Sequence, residues 1–217
     1  MTREYDAYLF DLDGTLVDSA PDIGAALNHC LKHASLPTVS ADLVRHWIGH
    51  GSRTLVRQAL LHHNMEPKDE LLDQLLGPFL DYYTQHIADL SQAYPNTLDT
   101  LVELKRRGAS LAIVTNKLTE LSVPLLEALD LKVHFDLIVC GDTTANPKPA
   151  ADPIEHCLSF FQLAPERVLM IGDSDADVGA AKAAKVDVVC MRDGYNHGVD
   201  VATLNPTRVI DNLQELL

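Results

Sequence analysis

Short apolar runs recur along this chain at residues 7–10, 111–115, 137–140, 168–171 and 186–190, with a weaker one at 208–210. Each is too short for a core helix and shows no polar/apolar alternation, so each reads as a strand buried on both faces. Helical patterns fill most of the intervals. Residues 97–107 carry Leu98, Leu101, Val102 and Leu104 at helical spacing, Lys105, Arg106 and Arg107 suit the helix end, and Gly108 is a stop. Residues 118–129, 152–161 and 177–185 fill the next crossovers, and Pro124 predicts a kink or a late start in the first of them. Strands alternating with helices specify an α/β fold built on a doubly wound parallel sheet.

One stretch breaks the alternation. From about residue 17 to residue 89 no strand pattern occurs. Ser19-Ala20-Pro21-Asp22 predicts a capping box with proline in the first turn, and Ile23, Ala26, Leu27, Cys30 and Leu31 then form an apolar stripe. Ser40 is placed to cap a second helix bearing Leu43, Val44, Trp47 and Ile48. Gly49-His50-Gly51 interrupts it, Leu55, Val56, Ala59 and Leu60 continue, and a last helix holds Leu71, Leu72, Leu75, Leu76, Phe79 and Tyr83 with a kink expected at Gly77-Pro78. Tyr82-Tyr83 read as packing within this insert or as an oligomer contact. The expected organisation is an α/β core of residues 1–16 and 90–217, with a small helical cap domain of residues 17–89 inserted after the first strand.

The formal net charge of −14 argues against nucleic acid as a partner, because a phosphate backbone needs a basic footprint. An acidic chain can still hold one phosphate where a cation and a few donors share a pocket. No apolar stretch approaches the ~20 residues that span a bilayer, so no membrane partner is expected. Cys30, Cys140, Cys157 and Cys190 form no close pair, which argues against zinc, redox chemistry or a disulfide framework; Cys140 and Cys190 end apolar runs and read as buried. No signal peptide is visible, and a cytoplasmic location is the expectation.

The strongest chemical signal is Phe10-Asp11-Leu12-Asp13-Gly14-Thr15-Leu16. Two carboxylates stand two residues apart where the first strand ends, the edge at which open α/β sheets bind ligands. Asp11 fits a nucleophile, since a carboxylate can form an acyl phosphate and split one hard displacement into two easier ones. Asp13 fits the general acid that protonates a leaving alkoxide. Taken alone, the motif also fits a surface turn with two solvated acids.

This motif is similar to the signature of the haloacid dehalogenase superfamily, in its phosphatase branch, and three further segments match that resemblance in order. Ile113-Val114-Thr115-Asn116-Lys117 ends the second core strand; the resemblance implies that Thr115 and Asn116 bind the phosphoryl oxygens, although a threonine there is often only a helix cap. Asn146-Pro147-Lys148-Pro149 supplies Lys148 to neutralise phosphate and nucleophile, although a lone lysine is usually a surface residue. Ile171-Gly172-Asp173-Ser174-Asp175-Ala176-Asp177 follows the fourth strand. By the resemblance, Mg²⁺ is the cofactor, held by Asp11, the Asp13 main-chain carbonyl and Asp173, and Asp177 holds Lys148 or a metal-bound water. The acids also resemble the start of an EF-hand loop, but Val178 stands where that loop needs glycine.

The implied activity is magnesium-dependent hydrolysis of a small phosphorylated metabolite through an aspartyl phosphate on Asp11, by a monomer or homodimer. Asp18-Ser19-Ala20-Pro21-Asp22, Trp47-Ile48-Gly49-His50-Gly51, Tyr94-Pro95 and Gly194-Tyr195-Asn196-His197-Gly198 resemble the phosphoglycolate phosphatase group. His50 and Arg53, in or beside the turn at 49–51, are expected to contact the far end of the substrate; an exposed helix break is the alternative. His50 stands where that group commonly has Asn, Asp175-Ala176 replace an Arg-Asn pair, and Lys185 stands where a glycine closes the helix, so a different C-cap is expected there. Sugar phosphates, pyrophosphate, an amino-sugar 6-phosphate, a phosphomutase and a non-catalytic binding paralogue are the other readings.

Overall fold

The computed structural model describes residues 5–217; residues 1–4, the start of the expected core segment 1–16, lie outside the described residues. In chain order come β1 (Ala7–Phe10), β2 (Val17–Asp18), α1 (Ala20–His33), α2 (Ala41–Trp47), α3 (Ser52–His62), α4 (Asp69–Gln85) and β3 (Gln92–Ala93). Then follow α5 (Thr97–Arg106), β4 (Ser110–Val114), α6 (Thr119–Ala128), β5 (Leu137–Val139) and α7 (Asp152–Phe161), and finally β6 (Val168–Gly172), α8 (Asp175–Ala183), β7 (Asp187–Met191) and β8 (Arg208–Ile210).

The expected apolar runs form one six-stranded sheet in the order β5-β4-β1-β6-β7-β8, with every pairing parallel. Period-two alternation sorts its side chains. Tyr8, Phe10, Leu111, Ile113 and Ile171 pack with Leu101 and Leu104 of α5 and Leu125 of α6. Leu9, Ala112, Val114 and Met170 pack with Ile154 and Cys157 of α7 and Val178 of α8. Helices therefore cover both faces, which is why these strands read as unbroken apolar runs. The chain builds outward from β1 to β5 and then returns to the other side of β1 as β6. A crevice opens at such a reversal, beyond the carboxyl end of β1.

Between β2 and β3 lie only helices. Their stripes make a separate apolar cluster, in which Leu27, Cys30 and Leu31 of α1 meet Val44, Leu60, Leu72, Phe79 and Tyr83, joined by Leu121 and Tyr195 from outside the insert. No strand was expected here, yet β2 and β3 pair antiparallel where the chain leaves and re-enters the sheet-bearing part. At two residues each they are too short to leave a sequence pattern. Ser40 accepts from the Leu43 amide and caps α2 as expected. Helices α4 and α6 run through Pro78 and Pro124, and α6 starts at Thr119. Among the described residues no helix is long and apolar enough to cross a membrane.

Two expectations about helix ends are corrected. Ser19 and Asp22 form no capping box. The Ser19 hydroxyl donates to Asp13 at 2.5 Å, and the Asp22 carboxylate accepts from the Leu90 amide and from the Ser91 amide and hydroxyl at 2.6–3.1 Å. Tertiary partners take both side chains away from the local motif. At the end of α8 the cap is not altered by Lys185. Val186 N–H donates to Ala181 O and Lys185 N–H to Lys182 O, the bonds of a Schellman turn, with Lys185 itself at φ +60°.

Two predictions follow from these ends. Asp22→Ala leaves two amide donors without an acceptor and should cost about 2–4 kcal/mol in urea unfolding; a loss below about 0.5 kcal/mol would show that the stitch carries no load. Lys185→Gly removes the left-handed penalty of a side-chain-bearing residue and should stabilise by about 1 kcal/mol, read as a higher melting temperature.

Candidate active site

The crevice beyond β1 is where the acids gather. Asp11 follows β1 directly, and its amide donates to Ile171 O of the neighbouring strand. Gly14 turns the chain at φ +91°; a Cβ there would lie 2.4 Å from Asp173 Oδ2. The turn is held by the Leu12 carbonyl, which accepts from the amides of Leu16 and Val17 at 3.0 Å. It aims the Thr15 hydroxyl at Asp173 Oδ1, 2.8 Å away. The Tyr195 amide donates to Asp173 Oδ2 at 2.5 Å.

Lys148 is buried between two of the acids. Its Nζ donates to Asp11 Oδ1 at 2.7 Å and to Asp177 Oδ1 at 2.6 Å. The other Asp177 oxygen accepts from the amides of Asp173 and Ser174 and from the Ser174 hydroxyl. Gly172 has no room for a side chain, because the Asp177 carboxylate sits over it. Asp177 is thus saturated with donors, and of the alternatives expected for it the structure places it on Lys148. The EF-hand alternative falls, since α8 begins at Asp175 and no calcium loop intervenes.

Ligand oxygens of Asp11, Asp173 and Asp177 lie within 4.8 Å of one another, all on buried residues. Three buried carboxylates face one buried ammonium. Burial drives Asp11 up to about 6 against the pull of Lys148, with Asp177 and Asp13 adding to the rise. Burial, then the charges of Asp11 and Asp177, push Asp173 well above the usual carboxylate range. For Lys148, burial works against the charged form, but Asp11 and Asp177 overcome it and raise its pKa. The shortfall is two positive charges in an all-oxygen donor set, which fits a hard divalent cation. Asp11 and Asp173 retain lone pairs for it.

The Asp13 carboxylate is turned to the other side of the crevice. It accepts from Ser19 and from Lys117 Nζ at 3.1 and 3.2 Å, and Lys117 also donates to the Tyr83 hydroxyl at 2.6 Å. Burial, then Asp13 and Asp22, keep the Tyr83 phenol well above its ordinary pKa, so it stays protonated. Asp11, Asp13, Thr115, Asn116 and Lys117 share a cleft with Ile23, Ile48, Leu55, Phe79 and Leu121, a few polar groups converging on mostly apolar walls.

The expected residues Asp11, Asp13, Thr115, Lys148, Asp173 and Asp177 therefore meet at one rim of the sheet. Asn116 lies there too, and its side-chain amide donates to the Gly49 and Lys148 carbonyls. His50 and Arg53 require correction: neither side chain lines the cleft. Arg53 is held by Asp69 at 2.8 Å and Asp73 at 2.5 Å on α4, and His50 lies toward Asp175 and His197. Gly49, Gly51 and Ser52 supply the lining instead. Lys117, Tyr83, Ser19, Thr15 and Tyr195 stood within the motifs and helix patterns quoted from sequence, but none was expected to have a part in the chemistry. Tyr83 carried one usable signal: a phenol in an apolar stripe needs a partner for its hydroxyl.

Known proteins resemble this chain in sequence and in fold. The sequence model of the haloacid dehalogenase-like hydrolase family matches residues 8–191. A protein of Nitrosococcus oceani named phosphoglycolate phosphatase is 39% identical over 218 residues, spanning 100% of this chain and 96% of its own. One of Pseudomonas aeruginosa named phosphoglycolate phosphatase 1 is 42% identical over 96% of this chain and 77% of its own. A crystal structure from Haemophilus somnus, described as a predicted phosphoglycolate phosphatase, superposes with a TM-score of 0.94 at 33% identity, covering 100% of this chain and 98% of that one. A haloacid dehalogenase-like hydrolase from Streptococcus pneumoniae superposes at 0.86 with 27% identity, covering 100% and 98%.

The charge shortfall has a measurable pH signature. Asp11 titrates near 6 when folded, above its ordinary value, so the native state holds the extra proton. In metal-free buffer that advantage is complete below about pH 4 and is lost as pH rises through about 6. The stability of wild type relative to Asp11→Asn should fall by on the order of 2–3 kcal/mol between about pH 4 and pH 7, in urea melts with a chelator present. A difference that stays flat or grows would contradict the uncompensated cluster.

Proposed function

This chain belongs to the haloacid dehalogenase-like hydrolase family and is a phosphoric monoester hydrolase, and from that premise we propose that it is a magnesium-dependent phosphatase acting through an aspartyl phosphate on Asp11, with 2-phosphoglycolate as its substrate. The carrying observation is the buried cluster of Asp11, Asp173 and Asp177 around the single ammonium of Lys148. Asp11 and Asp173, with the Asp13 main-chain carbonyl, would hold Mg²⁺, which supplies the charge that lets a phosphate approach a carboxylate; two such anions at about 4 Å otherwise repel by about 4 kcal/mol at an effective dielectric near 20.

Asp11 attacks phosphorus in line, and the bond to the leaving oxygen breaks. Asp13 gives that oxygen a proton, then takes one from the water that attacks the acyl phosphate and frees Asp11. Thr115 and Lys148 hold the phosphoryl oxygens. In this reading the helices of residues 17–89 are the cap domain and the remainder is the catalytic core. A cytoplasmic setting belongs to the same proposal, supported by four buried cysteines that are all free.

The far end of the cleft supports a short acidic substrate. Its walls are mostly apolar, offering few partners for the hydroxyls of a sugar. The exceptions bind an anion. Lys117 carries a positive charge, and the first turn of α3 at Gly51 and Ser52 has no side-chain cap, so its amide donors are open. A carboxylate two atoms from the phosphate ester oxygen suits both.

Three measurements test this. Asp11→Asn should abolish turnover and trap no labelled phosphate on the protein; substantial residual activity refutes the nucleophile. Chelation of Mg²⁺ should stop the reaction and re-addition restore it. Ethyl phosphate, which lacks the carboxylate, should have kcat/KM about 100-fold below 2-phosphoglycolate, as expected for lost charge-assisted hydrogen bonds. Lys117→Met should erase much of that gap; equal kcat/KM for the two esters in wild type rules out the acidic substrate.

A further inference from the structure

On the outer side of the Gly49–Gly51 turn a second group of ligand-bearing side chains converges, apart from the acids of the catalytic cleft. His50 comes from the turn between α2 and α3, Asp175 from the first residue of α8 and His197 from the loop after β7. One ligand atom from each lies within 4.8 Å of the others. His50 Nε2 and Asp175 Oδ1 are 3.7 Å apart, and the two imidazoles meet at 4.8 Å between centroids, tilted by 56° rather than stacked.

The hydrogen bonding of His197 fixes its tautomer. Its Nδ1 lies 2.7 Å from the His46 carbonyl, which can only accept, so Nδ1 carries the proton and Nε2 the lone pair. That Nε2 is buried and has no hydrogen-bond partner. A simple His50–Asp175 ion pair accounts for two members of the group and leaves this lone pair stranded, at the cost of an unsatisfied buried acceptor. A metal ion satisfies it. Backbone carbonyls that orient the far nitrogen of a metal-binding histidine are the usual support for such a ligand.

We propose that His50, Asp175 and His197 form a second metal site, for a zinc-class divalent ion, that ties the turn between α2 and α3 to the sheet-bearing core beside the mouth of the cleft. Two imidazoles and one carboxylate are a borderline donor set that favours zinc, cobalt or nickel over magnesium. Donor atoms around four-coordinate zinc at about 2.0–2.1 Å stand about 3.3 Å apart, close to the His50–Asp175 spacing. His50 and Asp175 are exposed on an open groove, so an ion can reach them from solvent. The consequence is mechanical. Gly49 and Gly51, flanking His50, line the catalytic cleft, and the loop of His197 also carries Tyr195, whose amide holds Asp173. An ion here fastens one wall of the cleft to the other and slows the exchange of substrate and product.

The test uses the full-length protein in millimolar Mg²⁺, which occupies the carboxylate cluster. Co²⁺ is titrated in and its visible absorption followed, then Zn²⁺ is added to displace it. Wild type should bind one Co²⁺ in the micromolar range, with intensified bands that Zn²⁺ removes. His50→Ala, an exposed turn substitution that leaves the fold intact, and Asp175→Asn should each weaken binding at least about tenfold, the effect of losing one ligand. Zn²⁺ at concentrations that fill the site should slow turnover of wild type and leave His50→Ala unaffected. Co²⁺ affinity within twofold for wild type and His50→Ala would overturn the site. Equal zinc inhibition of the two proteins would place the ion on Asp11 and Asp173 and overturn the tie.

Discussion

The structure is organised around a charge imbalance. Three carboxylates are taken out of water at the end of β1 with a single ammonium among them, and a fold tolerates this only if the surrounding framework over-determines their positions. The framework is visible in how little space remains. The Asp177 carboxylate lies where a side chain on residue 172 would be, and Asp173 lies where side chains on residues 14 and 194 would be. Three glycines, two in loops and Gly172 at the end of β6, make room for two acids. Each acid is then pinned by donors: Thr15 and the Tyr195 amide on Asp173, and Lys148, Ser174 and two amides on Asp177. Asp11 is the least encumbered, with Lys148 as its one side-chain partner. The acid with the fewest donors is therefore the proposed nucleophile, and most of the stabilising bonds go to its neighbours.

The legibility of this site in the sequence follows the range of the interactions involved. Asp11, Asp13, Thr115 and Asp173 could be read because each sits at or just past a strand end, and strand ends are announced by local apolar runs; Lys148, in the loop before α7, and Asp177, in α8, were read through the family resemblance. Lys117, Tyr83 and Tyr195 could not, because what makes them functional is a partner reached through the tertiary fold: Lys117 lies 104 residues from Asp13 and 34 from Tyr83. The capping box at Ser19 and Asp22 failed for the same reason. A local hydrogen bond competes with a distant one, and at a junction where the chain changes part the distant one won. Arg53 shows the converse. Its position beside the cleft was legible, but Asp69 and Asp73 on the next helix claim its guanidinium.

The junction between the helical insert and the sheet is stitched mainly by polar contacts. Lys117 meets Tyr83, Asn116 meets the Gly49 carbonyl and His197 meets the His46 carbonyl, while within the insert Arg45 meets Asp18 at 2.8 Å. The Tyr195 hydroxyl donates to Asp18 and accepts from the Ala20 amide, and the same ring lies under the Arg45 guanidinium. The Arg45 and Tyr195 bonds hold Asp18 below the usual carboxylate range although burial pushes the other way. Leu121 and Tyr195 are the side chains from the sheet-bearing part buried in the insert's apolar cluster.

This composition of the junction bears on how a buried site can turn over. Polar contacts exchange for water at little net cost, about 0.5–1.5 kcal/mol each, whereas parting an apolar interface exposes surface at about 25 cal/mol per Å². A seam made mainly of hydrogen bonds can therefore part at small cost, Leu121 and Tyr195 being the buried apolar side chains of the sheet-bearing part that parting would expose. Lys117 gives the seam a chemical sense as well as a mechanical one. Its three donors are all used, on both Asp13 oxygens and on Tyr83. An anionic group entering the cleft competes for those donors and loosens Lys117 from Asp13 as it binds. Under the mechanism proposed above, substrate arrival and release of Asp13 are the same event, so Asp13 is held in an ion pair until there is a leaving group for it to protonate.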